Sequence, residues 1–144
     1  FSHVILPVSR GYYKMLYNKL IYTGVSRAKK SLVLIGNHAF YMNTALKRFI
    51  LPDTLVSIGN YAVAGSNSTR STLEVIVIPK SVLEIGIYAF AYNGLESITI
   101  NNELIGDHMF YENDELYTLF VPHNVIEIRT HAFAECSKLR DLTL

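Results

Sequence analysis

Apolar residues along this chain recur in two alternating phrases. The first has the form Leu-x-x-φ-x-φ, where φ is apolar, and runs at Leu46–Leu51, Leu73–Ile78, Leu95–Ile100, Leu116–Val121 and Leu139–Leu144, with Phe1–Leu6 as a further copy. Apolar residues at positions 1, 4 and 6 can face one interior while positions 3 and 5 face away, which predicts a short strand with one buried face. Pro7, Pro52, Pro79 and Pro122 follow four of these copies, so every proline of the chain sits at one repeat position. Proline cannot donate to a ladder, so it ends the strand and opens a turn. The second phrase, Ile-Gly-x-x-Ala-Phe, occurs at Ile35–Phe40, Ile58–Val63, Ile85–Phe90, Ile105–Phe110 and, with Arg129 for the glycine, Ile128–Phe133; the steps between glycine positions are 23, 27, 20 and 23.

A unit of about 23 residues has no core of its own, and stacking neighbouring units is what buries its apolar face. The pattern predicts a mostly β solenoid of about six repeats with a continuous parallel sheet on one side. The second phrase returns along the opposite wall with its Ile, Ala and Phe inward. Its glycine suggests a position of positive φ or of close backbone approach.

The run Leu116-Tyr-Thr-Leu-Phe-Val-Pro-His-Asn-Val-Ile-Glu-Ile-Arg-Thr-His-Ala-Phe-Ala-Glu-Cys136-Ser-Lys-Leu139 resembles the repeat of the BspA-like, Treponema-type leucine-rich-repeat family, and the resemblance extends over nearly the whole chain. Departures are local. Arg129 replaces glycine, Val63 replaces Phe, Met109 replaces Ala, and Asn43, Asn93 and Asn113 stand where Cys136 stands. The link 64–72 is longer than the standard one, and Asn101-Asn102 replaces the proline turn in a shortened unit. Residues 8–31 are an insertion. Lys14–Tyr17 and Leu20–Tyr22 flank Asn18-Lys19, which suggests a hairpin, with Tyr12, Tyr13, Tyr17 and Tyr22 covering the solenoid or binding a partner. Residues 1–144 therefore read as a single leucine-rich-repeat solenoid with a hairpin inserted near its start. Both ends fall inside repeats, as in a fragment of a longer array.

The side chains able to do chemistry mostly fall in repeat register. His38, His108 and His131 occupy a slot that Tyr61 and Tyr88 fill in the other repeats, which predicts a stacked column of planar rings. A zinc site at His108 and His131 would need further ligands, and His123 is not placed to supply one. Cys136 occupies an inward turn position filled by Asn elsewhere, where such a column satisfies backbone groups at a corner; the other reading is a nucleophile beside His131. Asn67-Ser68-Thr69 is a glycosylation acceptor pattern, relevant in a secreting eukaryote. No glycine-rich loop precedes a helix, so a phosphate cradle has no support. A single cysteine excludes an internal disulfide and any multi-cysteine metal site.

Half the residues are hydrophobic and 17% are charged, so the chain can bury enough surface to offset ordering entropy, and no apolar run is long enough to span a membrane. The net charge of +1 conceals a split: residues 1–52 carry eight cations and no acid, while residues 53–144 carry five cations and all twelve acids, giving 5 − 12 = −7. The basic segment, with Lys14, Lys19, Arg27, Lys29 and Lys30, suits a polyanionic glycan as well as nucleic acid, but lacks any nucleic-acid reader motif. The split also predicts head-to-tail self-association at low salt. Outward strand positions form a candidate binding row on the concave sheet: Arg48, Ile50, Val75, Val77, Thr99, Thr118 and Phe120, with Asp141 and Thr143 beyond them. The resemblance implies a non-enzymatic protein-binding or adhesion module without cofactor, secreted or at a cell surface, recognising host, matrix or other microbial surface proteins. The alternative is an architectural spacer.

Overall fold

The computed structural model of the chain describes residues 33–143. They form five stacked turns of a solenoid with ten short strands and no helix: β1 (Val33–Ile35), β2 (Arg48–Phe49), β3 (Leu55–Ile58), β4 (Val75–Ile78), β5 (Glu84–Ile85), β6 (Ser97–Ile100), β7 (Leu104–Ile105), β8 (Thr118–Phe120), β9 (Glu127–Ile128) and β10 (Asp141–Thr143). Even-numbered strands come from the Leu-x-x-φ-x-φ phrase. Odd-numbered strands end on the isoleucine of the second phrase, so that phrase opens on a second wall of parallel strands in addition to the expected one. The turns are called here unit 1 (33–51), unit 2 (55–78), unit 3 (82–100), unit 4 (102–121) and unit 5 (125–143).

Neither wall is continuous, which corrects the single unbroken sheet. The first wall divides into β2-β4-β6 and β8-β10, and the second into β1-β3-β5 and β7-β9. Both divisions fall between units 3 and 4. The physical reason lies in the 20-residue step, where Asn101-Asn102 stands in place of a proline turn. Asn102 is buried and its Nδ2 donates to the Leu104 carbonyl, closing a tighter corner than Pro79 or Pro122 makes. On either side of the division, register is as the pattern requires: Val75 pairs with Ser97 and Val77 with Thr99, and Thr118 pairs with Asp141 and Phe120 with Thr143.

The third side is unbroken. From the glycine position onward, alternate N–H groups point along the stack into the next unit: His38, Phe40 and Met42 donate to the carbonyls of Asn60, Ala62 and Ala64, at 2.9, 2.7 and 2.7 Å. The same three-bond pattern joins Tyr61, Val63 and Gly65 to unit 3, Tyr88, Phe90 and Tyr92 to unit 4, and His108, Phe110 and Glu112 to unit 5. The intervening N–H groups close local turns, as Ala39 does to Gly36, Tyr41 to His38 and Asn43 to Phe40. Most backbone donors in the segment thus have a partner either along the stack or within the turn.

The turns are bent by left-handed residues that are not glycines. His38, Tyr61, Tyr88, His108 and His131 have φ between 50° and 57°, and Met42, Tyr92, Glu112 and Glu135 repeat the conformation four residues on. No glycine among the described residues has positive φ. The expected close approach does hold, because a Cβ on Gly59 would lie 2.5 Å from Asn37 N and Oδ1, and one on Gly86 would lie 2.3 Å from Asn60 N. Those asparagines explain the crowding: Asn37 Oδ1 accepts from Asn60 N at 2.8 Å, and Asn60 Oδ1 from Ile87 N at 2.9 Å. Arg129 takes the glycine place under Asp107, where no asparagine crowds it and its guanidinium lies 4.0 Å from the Asp107 carboxylate.

The core runs down the middle of the stack. Leu46, Leu55, Ile58, Leu73, Ile76, Leu95, Ile105, Leu116 and Leu119 are buried between the walls, with Phe40, Phe90 and Phe110 against the corner. Ile128 departs from its expected inward place. It is 48% exposed, whereas Ile105, its register partner in β7, is fully buried, because no further unit among the described residues stacks below it.

Candidate functional site

The candidate site is the outer face of the first wall. Strand alternation turns positions 3 and 5 away from the core, and the structure places Arg48, Ile50, Val75, Val77, Thr99, Thr118 and Phe120 there, all exposed. Phe120, in β8, is 61% exposed, and Ile50, just after the end of β2, is 68% exposed. Arg48 pairs with Val75 across β2 and β4, so cation and apolar side chain are lateral neighbours. The apolar row is interrupted, however. Thr99 and the wall division separate Val77 from Phe120, so the face presents an aliphatic group around Ile50, Val75 and Val77 and a separate aromatic at Phe120. The predicted basic patch of Lys14, Lys19, Arg27, Lys29 and Lys30, the hairpin at 8–31 and the repeat copy at Phe1–Leu6 lie outside the described residues.

The histidine slot is a ring column. Centroids along His38, Tyr61, Tyr88, His108 and His131 are 5.2, 5.0, 4.5 and 5.0 Å apart, with interplanar angles of 13, 13, 30 and 22°. Stacking energy offsets the left-handed conformation these residues adopt, roughly 1–2 kcal/mol each. Burial pushes the Tyr61 and Tyr92 phenols up from their ordinary value. The His108 and His131 rings stack on one another as the rest of the column does. Among the described residues no group of three His, Cys, Asp or Glu gathers as a metal would require.

The asparagine and Cys136 slot does what corner satisfaction predicts. Asn93 Nδ2 donates to the carbonyls of Val63, Phe90 and Ala91 at 2.8, 3.0 and 3.1 Å, and Asn113 Nδ2 to those of Phe90 and Phe110 at 3.0 and 2.8 Å. Cys136 Sγ lies 3.3 Å from the Phe110 carbonyl, and burial pushes its thiol up, away from the thiolate a nucleophile needs.

Two features carry no local sequence signal. The second wall exposes Leu83 and Ile126 beside the wall division, where Val82, Leu83, Leu104 and Ile126 line a cleft of about 230 Å³ with Lys80, Glu103 and Glu127 at its rim. The 20-residue step was the available clue. The long link 64–72 folds back across the stack: Ser71 N donates to the Tyr92 carbonyl in unit 3, while Arg70 reaches unit 4 and pairs with Glu112 at 2.9 Å and Asp114 at 2.7 Å.

Stacked parallel-strand units with apolar columns and an asparagine or cysteine corner define a leucine-rich-repeat solenoid. The family model described as the BspA type leucine rich repeat region matches residues 16–140 in six copies, and the chain belongs to that family. Two solved structures share the fold. A leucine-rich repeat protein from Eubacterium ventriosum superposes with a TM-score of 0.64 at 18% identity over 81% of this chain, and one from Bacteroides ovatus with 0.56 at 26% identity over 77%. The chain spans about a third, 34%, of each of those proteins. No helix among the described residues is long and apolar enough to cross a membrane.

Proposed function

We propose that the chain is a protein-binding module without catalytic activity, one segment of a longer array. It recognises host, matrix or other microbial surface proteins from a secreted or cell-surface position. The observation that carries this reading is the exposure of Ile50, Val77 and Phe120 on one wall, where none of them packs into the core. Aromatic and aliphatic anchors of this kind are where binding energy concentrates, and strand propensity alone gives Ile50 and Phe120 no reason to face solvent. The +8 and −7 halves support two weaker contacts, with a polyanionic glycan and with a second copy head to tail, both screened over about 10 Å at 0.1 M salt.

The test is retention on immobilised matrix proteins at physiological salt, with the double variant Phe120→Asp, Val77→Lys alongside the parent. Retention by the parent and its loss in a variant that melts at the same temperature supports the reading. Equal retention moves the site off this face. A parent that retains nothing is a spacer, and repeating the assay at raised salt separates apolar docking from charge.

A further inference from the structure

The division of both walls at one place, bridged at one side only, sets the junction between units 3 and 4 apart. At the junction between units 2 and 3, β4 pairs with β6 over four residues, β3 pairs with β5, and the corner contributes its three backbone bonds. Between units 4 and 5, β8 pairs with β10 and β7 with β9. Between units 3 and 4, neither β6 with β8 nor β5 with β7 forms a ladder. What remains lies mainly at the corner: the bonds from Tyr88, Phe90 and Tyr92, the bonds of Asn113 to the Phe90 carbonyl and from Leu95 N, and the ring contacts of Phe90 with Phe110 at 5.9 Å and of Tyr88 with His108 at 4.5 Å.

In a stack whose stability is a sum of nearest-neighbour interfaces, the junction with fewest bonds opens first. The link 64–72 spans this same junction along the corner edge itself, where Ser71 N donates to the Tyr92 carbonyl at the end of the ladder. Its Arg70 leaves unit 2, bypasses unit 3 and closes on Glu112 and Asp114 of unit 4, donating also to the Glu112 carbonyl. Arg70 and Glu112 are partly shielded from solvent, with 37% and 19% of their side chains exposed, so the pair is screened less than a free surface pair. Among the described residues no other link joins units two apart through a side-chain ion pair.

We propose that the described chain is two rigid blocks, 33–100 and 104–143, joined at the corner ladder between Tyr88–Tyr92 and Asp107–Tyr111, and that the 64–72 link is a strap whose Arg70 clamps the end of that ladder and so keeps the two blocks together. The consequence for recognition rests on the proposed function: Ile50, Val75 and Val77 sit on one block and Phe120 on the other, so the strap sets the spacing between the two parts of the binding face.

Backbone hydrogen exchange on the full chain tests the device without a ligand, and so independently of whether the face binds anything. In Arg70→Gln, exchange at the Tyr88, Phe90 and Tyr92 amides, which donate across the junction, quickens about tenfold, the scale of a lost charge-assisted bond, while exchange at 55–58 and 75–78 in one block and at 119–121 in the other keeps its parent rate. Arg70→Lys, which keeps the charge but not the forked geometry, falls between the two. Unchanged exchange at the Tyr88, Phe90 and Tyr92 amides in Arg70→Gln overturns the strap. Equal acceleration within both blocks overturns the two-block division, because it reports loss of the whole fold.

Discussion

The corner side and the two β walls of this solenoid are built from the same repeats, yet only the corner runs without interruption through all five described units. The difference follows from length. From the glycine position to the second residue after Phe, every unit has the same number of residues, so each N–H meets the same carbonyl in the next unit whatever lies elsewhere. The walls are joined by turns and links that vary, including the long link 64–72 and the short turn at Asn101-Asn102. When a unit is short, its strands cannot meet both neighbours in register, and a ladder lapses. Constancy of length, more than strand propensity, is what propagates order along this stack.

The largest test of that contrast removes one buried side chain from each side. Phe110 is fully buried between the rings of Phe90 and Phe133, at 5.9 and 5.4 Å, on the unbroken side. Phe110→Ala is expected to cost about 3–5 kcal/mol. Leu119 is also buried, but β8 has a ladder partner on one flank only, so Leu119→Ala is expected near the low end of roughly 2–5 kcal/mol. Thermal or denaturant unfolding of the two variants checks the order; a Leu119 cost above that of Phe110 breaks the comparison.

A smaller effect is expected at the asparagine column. Asn93→Ala leaves the Val63, Phe90 and Ala91 carbonyls without their shared donor, and about 1–3 kcal/mol of stability should go with it. Asn93→Asp should cost at least as much, since a carboxylate cannot donate to carbonyls. Denaturant midpoints that match the parent for both variants remove the column from the account. The smallest effect belongs to the outer face. Phe120→Ala should change stability within about 0.5 kcal/mol, and a larger loss in the same melts would show that Phe120 packs instead of facing solvent.

Much of this architecture was legible because stacking forces equivalent residues into columns. The inward Leu, Ile and Phe positions, the ring column from His38 to His131 and the donor role shared by Asn93, Asn113 and Cys136 all follow from register alone. What escaped the sequence depended on relations between units of unequal length. The strands of the second wall are two to four residues long and have little alternation to show. The wall division needs the three-dimensional consequence of a 20-residue step. Arg70 meets partners 42 residues away through a link with no repeat signature. The glycine position was open to two readings, positive φ or close backbone approach, and the first does not hold. Instead, the glycines serve close approach below Asn37 and Asn60, and the left-handed turn falls to His and Tyr, whose rings stack. Phe120 and Val77 were correctly turned outward by alternation, but their separation into two groups was not visible without the division between β6 and β8.

The corner ladder also has a mechanical meaning. Its bonds lie along the stacking direction, so tension applied between the two ends of the array loads them end-on, one junction after another, instead of shearing them together. The junction between units 3 and 4, which has no strand ladder, bears that load with the fewest backbone links, and it is expected to yield before its neighbours while the blocks on either side stay folded. Within a longer array under pull, the shortened unit would act as a sacrificial link, and the Arg70 pairs would raise the force at which it gives way.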